Sequence, residues 1–367
     1  MQLSPPLPDA LIPPIRTFAH QLRAAGLVDL LACYAPTSVS WLPTVLEADL
    51  PLIPQPLRDL ARLVVLGHSF TAEAADALLG DGVPAALVAA GVANAAEGSF
   101  SLGALQLVHH LGVQVFAERP STAIRLYHGD DSLGLGRRLV GARGRVLDLC
   151  AGVGTQGVLC ALSADEVIGV ELQPAAAPLQ AVNAALNGVE GRIRFCTGDH
   201  VDAVAGERFD LVCCNPPLLP IPPRLPFPFV GDGGADGQRL ILRMLAALPD
   251  LLHDGGRCLA VTTLLGSHAG PDLRALREAS VAAGLRLDLL LSGRAPLLPG
   301  SRVFDDIVRT AVSYAGLPEP AVIDEARRFY RSPDRCALYF VHLMARRGPP
   351  EVSLIRHDTR STGMWTF

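Results

Sequence analysis

The sequence predicts an α/β fold: a mainly helical segment to about residue 125, then strands alternating with helices around a mainly parallel sheet. Three observations predict it. Half of the 367 residues are hydrophobic and 18% are charged, which is enough apolar surface for a large core and too little charge for disorder. After residue 145, short apolar runs alternate with helical patterns of about ten residues, the signature of βαβ units covered on both faces. The charge divides at the same boundary, with six Arg against ten acids up to residue 125 and 25 Arg against 26 acids after it.

In the first segment, Arg16–Cys33 carries Phe18, Leu22, Leu27, Leu30 and Leu31 at helical spacing, and Leu57–Leu66 repeats the pattern. Thr71 is placed to cap a helix reaching Leu79, Gly80-Asp81-Gly82 turns the chain, and Pro84–Ala90 makes a second short helix closed by Gly91. Two extended pieces follow, Val92–Asn94 and Glu97–Leu102. Helix, turn, helix and hairpin is the order of a winged helix. Its second helix contains no Arg, Asn or Gln, so packing, substrate covering or dimerisation is expected rather than a hold on DNA. His109-His110 is read as part of an apolar helical run, where adjacent side chains face apart and cannot chelate.

In the second segment the expected strands are Val146–Cys150, Val167–Leu172, Ile193–Thr197, Phe209–Cys214, Arg257–Thr263, Leu285–Leu291 and Cys336–Met344. The helices between them are Thr155–Leu162, Pro174–Leu186 with Asn187-Gly188 as its stop, Leu240–Leu248 ended by Pro249, and Asp272–Ala283 ended by Gly284.

Composition excludes several classes. A net charge of −5 lacks the positive excess a phosphate-backbone binder needs, so nucleic acid is not an expected partner. No apolar run approaches the ~18–20 residues that cross a bilayer, and the first fifteen residues, rich in Pro, lack the pattern of a secretory signal. The eight Cys contain no CxxC spacing, which points to reduced core thiols in a cytoplasmic protein with no metal site. Every basic residue is Arg, so a side-chain cation near any site is an Arg or a protonated His.

The chemistry concentrates at strand ends, where ligands bind in open parallel sheets. Asp148-Leu149-Cys150-Ala151-Gly152-Val153-Gly154 forms a strand-to-helix turn whose glycines admit close backbone approach. Glu171, nineteen residues after Gly152 and followed by Leu172, is placed to accept both hydroxyls of a ribose. Gly152–Gly157 also satisfies G-x-G-x-x-G literally, so a dinucleotide site stays open at this point. Gly198-Asp199-His200 follows the third strand and puts a carboxylate within reach of an adenine amino group, with His200 beside it as a candidate base. The fourth strand runs directly into Asn215-Pro216-Pro217-Leu218.

This ordered set resembles the class I S-adenosylmethionine-dependent methyltransferases over about residues 125–345. Within them it is similar to the amino-methylating branch, which includes the release-factor glutamine methyltransferases and the adenine and guanine amino methyltransferases. The resemblance implies a seven-stranded Rossmann-like methyltransferase sheet and S-adenosylmethionine as cofactor, held by Asp131, Ser132, Asp148, Ala151, Gly152, Gly154, Glu171, Leu172, Asp199, His200 and Asn215. Ser132 would cap a helix over Leu133–Val140. It also implies that the Asn215 side-chain oxygen and the Pro216 carbonyl accept the two hydrogens of a poorly nucleophilic nitrogen and turn its lone pair toward the methyl group, with Pro217 and Leu218 completing the motif. The branch carries Tyr or Phe where this chain has Leu218, so stacking falls to another residue such as Phe227 or Phe229. Gly231–Gly237 resembles the glycine-rich turn that folds back over the site in the glutamine methyltransferases.

The expected domains are therefore a winged-helix-like 1–125 and a catalytic 126–367. The acceptor is a protein or a small molecule, and a homodimer is compatible with the N-terminal segment. The alternatives are a small-molecule O- or N-methyltransferase of specialised metabolism and a non-catalytic cofactor-sensing binding protein.

Overall fold

The structure, a computed structural model, describes residues 2–34, 38–39, 41–121 and 124–356. It divides into two compact units, one made of residues 1–120, 126–142 and 151–199, the other of residues 121–125, 143–150 and 200–367.

The first unit opens with helices Ile12–Ala24 and Leu27–Cys33, separated where Gly26 takes φ +80°. Thr71 caps Ala72–Leu79 as its sequence position suggests, its Oγ1 accepting from Ala74 N at 3.1 Å. Val83–Ala89 follows, and Phe70–Thr71, Ser99–Ser101 and Asn94–Ala96 pair in that spatial order as a small antiparallel sheet.

The expectation of a helix through His109-His110 is wrong. Leu105–His110 and Val113–Glu118 are paired antiparallel strands. Almost every residue of the second is buried, so no alternation betrays it, and the turn between them uses Leu111 and Gly112, both at positive φ, instead of the Asn-Gly that marks such turns.

Helix Ala177–Leu186 receives this hairpin through two side-chain amides. Asn183 Oδ1 accepts from Phe116 N at 2.7 Å while its Nδ2 donates to Phe116 O at 3.0 Å, and Asn187 repeats the exchange with Gln114 N and O at 2.9 and 2.6 Å. The spacing matches because four helical residues rise about 6 Å and two strand residues about 6.6 Å. Phe18 stacks on Phe116 at 6.0 Å between ring centroids, tying helix Ile12–Ala24 to the same strand. The unit also contains parallel strands β2 (Glu166–Glu171) and β3 (Ile193–Thr197), with Gln2–Leu3 antiparallel on the edge of β3.

In the second unit β1 (Arg145–Leu149), β4 (Phe209–Cys214) and β5 (Leu252–Ser267) run parallel, in that order. β7 (Ala337–Arg347) lies antiparallel between β5 and β6 (Leu285–Pro296), and Glu351–Arg356 adds an edge strand parallel to β6. Leu211–Cys214 are all buried, as befits a strand covered on both faces. All seven expected strands are present, with extra strands at the edges.

Pro249 does not end its helix, which runs Arg239–Leu251. The Arg347 guanidinium donates to the Pro249 and Leu252 carbonyls, which satisfies the last turn beyond the proline. Helices Arg302–Ala315 and Glu319–Tyr330, between β6 and β7, are unannounced by the sequence reading, although Val303, Phe304, Ile307, Val308 and Ala311 carry the apolar spacing that would have revealed the first.

Two stability outcomes follow from the first unit. Asn183→Ala orphans Phe116 N, Phe116 O and the Val153 carbonyl to which Asn183 also donates, and is expected to cost roughly 3 kcal/mol in urea denaturation; Asn187→Ala, with a half-buried partner pair, costs less. Burial pushes His110 down to about 4 and His128 down further, with neighbouring cations adding to the first. The unfolded chain, with histidines near ~6.5, takes up protons first, so stability is full above that pH and falls by on the order of 6 kcal/mol as pH drops toward 4, about half from each histidine. Urea midpoints at pH 7 and pH 4.5 measure the loss, and His110→Gln should remove about half of it, leaving the part due to His128.

Candidate active site

In the first unit the glycine turn is built from bonds the strand supplies. Ala151 N donates to Val170 O at 2.9 Å, Gly154 N to Ala151 O at 2.7 Å and Gly152 N to the Glu171 carboxylate at 2.9 Å. The other carboxylate oxygen accepts from Gln173 N at 2.9 Å, so buried Glu171 is locked from both sides while each oxygen keeps a lone pair. Gly198 N donates to the Glu171 carbonyl at 2.9 Å, which brings the chain of Asp199 alongside. The carbonyls of the turn are held by helix Ala177–Leu186, Gln180 donating to Gly152 O at 2.8 Å and Asn183 to Val153 O at 2.9 Å. Sequence reasoning missed both residues; a Gln and an Asn three apart on an otherwise apolar helix were the available signal.

These bonds bear on the two ligands that the motif left open. A pyrophosphate binds to backbone N–H groups, and those of Ala151, Gly152 and Gly154 are already engaged. An uncharged ribose needs only the carboxylate. A Cβ built on Gly152, which sits at φ +52°, would meet only the Tyr127 carbonyl at 3.5 Å, so the face of the turn is open. Leu172 is 54% exposed at the end of a buried strand, an apolar surface next to Glu171 suited to the flat face of an adenine, and Asp199 is exposed. The residues present thus fit an adenosine-containing cofactor.

Asp131 and Ser132 are buried in the first turn of helix Asp130–Leu139. The cap is Gly129 rather than Ser132: the Ser132 hydroxyl, three residues in, accepts from Gly129 N at 3.4 Å, and Ser132 N donates to the Asp131 carboxylate at 2.8 Å. Gln156 holds the Ser132 carbonyl at 3.0 Å, and His128 shares a 3.0 Å bond with Thr155.

The second unit holds the remaining residues. Asp148 is buried and lies 3.5 Å from the Cys213 thiol that donates to it. Burial, followed by a hydrogen bond with Cys150, pushes the Cys214 thiol well above the usual range, so without a bound ligand it stays protonated. His200, at φ +54°, is buried beside these thiols.

Asn215-Pro216-Pro217-Leu218 leaves β4 and is fixed by the glycine loop, Leu219 N donating to Gly231 O at 3.0 Å and Gly233 N to Leu219 O at 2.9 Å. Gly237 has no room for a side chain, since a Cβ there would stand 2.6 Å from the Leu218 carbonyl, which also accepts from the Thr263 hydroxyl. Tyr330 donates to the Pro220 carbonyl at 2.5 Å, so the second of the two unannounced helices holds the proline-rich loop. Leu218 is buried, Phe227 packs on Gly231, and Phe229 is exposed.

Residues 135–265 match the methyltransferase small domain. A Methanocaldococcus jannaschii protein named for protein N5-glutamine methyl transfer is 36% identical over 35% of this chain and 66% of its own length. The ribosomal protein uL3 glutamine methyltransferase of Bordetella pertussis is 33% identical over 30% of this chain and 41% of that protein. The 4-amino-L-phenylalanine/4-methylamino-L-phenylalanine methyltransferase of Streptomyces pristinaespiralis is 37% identical over 30% and 41%. The chain thus spans less than two thirds of each of these relatives. The glycine turn, the buried Glu171 and the Asn-Pro-Pro loop all lie within residues 135–265, the stretch that matches the methyltransferase small domain.

Proposed function

We propose that the protein is an S-adenosylmethionine-dependent methyltransferase that places methyl on a nitrogen of an amide, amine or planar ring by in-line displacement. The observation that carries this is the Asn215-Pro216-Pro217-Leu218 loop, whose exit through Leu218, Leu219 and Pro220 is held by Thr263, Gly233 and Tyr330 and packed against Gly237. Glu171 would hold the ribose, Leu172 and Asp199 the adenine, and Asp131 the methionine amino group, with Asp148, Ala151, Gly152 and Gly154 lining the turn and His200 nearby. The bound cofactor supplies an electrophilic sulfonium methyl. The chain then has to present a nitrogen whose lone pair is delocalised. The Asn215 side-chain oxygen and the Pro216 carbonyl accept its two hydrogens, and proline rings fix that carbonyl's direction, so positioning replaces a strong base.

The relatives named for glutamine methylation support a protein acceptor. A small aromatic amine is the second reading, favoured by Leu218 in place of an aromatic residue and by the likeness to the amino-phenylalanine methyltransferase. We assign residues 1–125 to a winged-helix-like substrate-covering or dimerisation role and 126–367 to catalysis, in a reducing cytoplasm. In support, no described cysteine is in a disulfide, and among the described residues no helix is long and apolar enough to cross a membrane.

Calorimetry with S-adenosylmethionine tests the cofactor assignment. Glu171→Ala and the exposed Asp199→Ala are each expected to weaken binding about tenfold or more, and wild-type affinity in both would overturn it. Asn215→Ala is expected to keep cofactor affinity while lowering turnover by about 10²–10³. The acceptor is found by transfer of labelled methyl into a cell extract split into protein, RNA and small-molecule fractions, with label in protein the expected outcome.

A further inference from the structure

The second unit contains a donor set that methyl transfer does not require. Cys150 Sγ, Cys214 Sγ and a ring nitrogen of His200 all lie within 4.8 Å of one another, drawn from the end of β1, the end of β4 and the turn that opens at His200. His200 is 5% exposed, and neither ring nitrogen has a hydrogen-bond partner among the described residues. A buried imidazole with two unused polar atoms costs free energy, which a buried water or a bound ion would offset. Both Cys150, at φ +58°, and His200, at φ +54°, take a backbone conformation that side chains rarely adopt, and in each case it accompanies a side chain in this cluster.

We propose that Cys150, His200 and Cys214 bind a zinc ion as a two-thiolate, one-imidazole site with its fourth position open. Two sulfurs and one nitrogen are the donors zinc prefers. Tetrahedral bonds of about 2.3 Å to sulfur and about 2.0 Å to nitrogen place such donors about 3.6–3.8 Å apart, so the cluster need contract by only about 1 Å. Binding replaces two S–H bonds with two Zn–S bonds and releases two protons to solvent, while the imidazole binds neutral through one nitrogen. With three protein ligands, the fourth position takes water or a donor atom of a bound molecule. Cys214 immediately precedes Asn215, so the ion would anchor the strand end that delivers the acceptor loop. The proposal stands apart from the methyl-transfer reading, because its measurements need neither cofactor nor acceptor.

The experiment uses the full chain, reduced and stripped of metal, titrated with Zn²⁺ against a chromophoric chelator and separately with Co²⁺. One equivalent of zinc per chain is expected, and cobalt should give a thiolate-to-metal charge-transfer band with the intense visible bands of a tetrahedral ion. Cys150→Ser, at a half-buried position, should abolish the stoichiometric uptake while its circular dichroism stays that of the wild type, and exposed Cys33→Ser should change nothing. His200→Ala should lose or weaken the site in the same way. Cobalt binding without a thiolate band, uptake undiminished in Cys150→Ser, or a reduced wild type that takes up no zinc would each overturn the proposal.

Discussion

Helix Ala177–Leu186 and its flanking Asn187 hold the first unit's binding elements by side-chain amides. Asn183 is the critical one: its carbonyl oxygen and both hydrogens are spent on Phe116 N, Phe116 O and Val153 O. A strand edge and a glycine turn are both sets of exposed backbone dipoles, and burying either unpaired would cost about as much as a lost hydrogen bond per group. A carboxamide is the smallest side chain that both donates and accepts, so it can finish a strand edge without adding a strand. With Gln180 one turn away on Gly152 O, the glycine turn is fixed from the carbonyl side by the helix and from the amide side by Glu171. The carboxylate assigned to the ribose is thus also structural.

The second unit solves the equivalent problem with absence of side chains. The loop after β4 is rich in proline and cannot donate enough amides to a ladder. Its carbonyls therefore meet groups brought from elsewhere: Thr263 on Leu218, Tyr330 on Pro220 and Gly233 N on Leu219. Gly233 and Gly237 make this possible, because a Cβ at either would collide with the loop backbone. The two helices between β6 and β7 then have a clear purpose, since Tyr330 reaches the loop from the second of them and packs its ring against Phe304 of the first.

Much of this was legible in the sequence, and what was not has a common cause. Strands such as Phe209–Cys214 and Ile193–Thr197 were visible because covered parallel strands are short apolar runs bounded by glycine and polar residues. The cap at Thr71 was visible because its bond is local. The hairpin Leu105–Glu118 was misread because its burial comes from outside, from Phe18 and from Asn183 and Asn187, none of which its own periodicity reports. The closeness of Cys150, His200 and Cys214, which are 50 and 14 residues apart, was likewise not legible, because only the fold brings them together. Spacing rules find ligands that share a turn and miss ligands that share only a fold.

The charge of the motifs carries the last step. Asp148, Glu171 and Asp199 stand at the strand ends, Asp131 precedes them, and no Arg falls within these motifs in a chain that has no Lys. An anionic ligand such as a pyrophosphate would meet like charge at Glu171 and Asp199 of the first unit, at a cost that burial of Glu171 raises. The proposed cofactor is uncharged at its ribose and carries a sulfonium and an ammonium against a single carboxylate, so its net charge is positive and suits that balance better. The literal dinucleotide fingerprint Gly152–Gly157 is therefore a constraint on backbone shape alone. The side chains around it, together with the amides already spent inside the turn, are what the proposed sulfonium cofactor rests on.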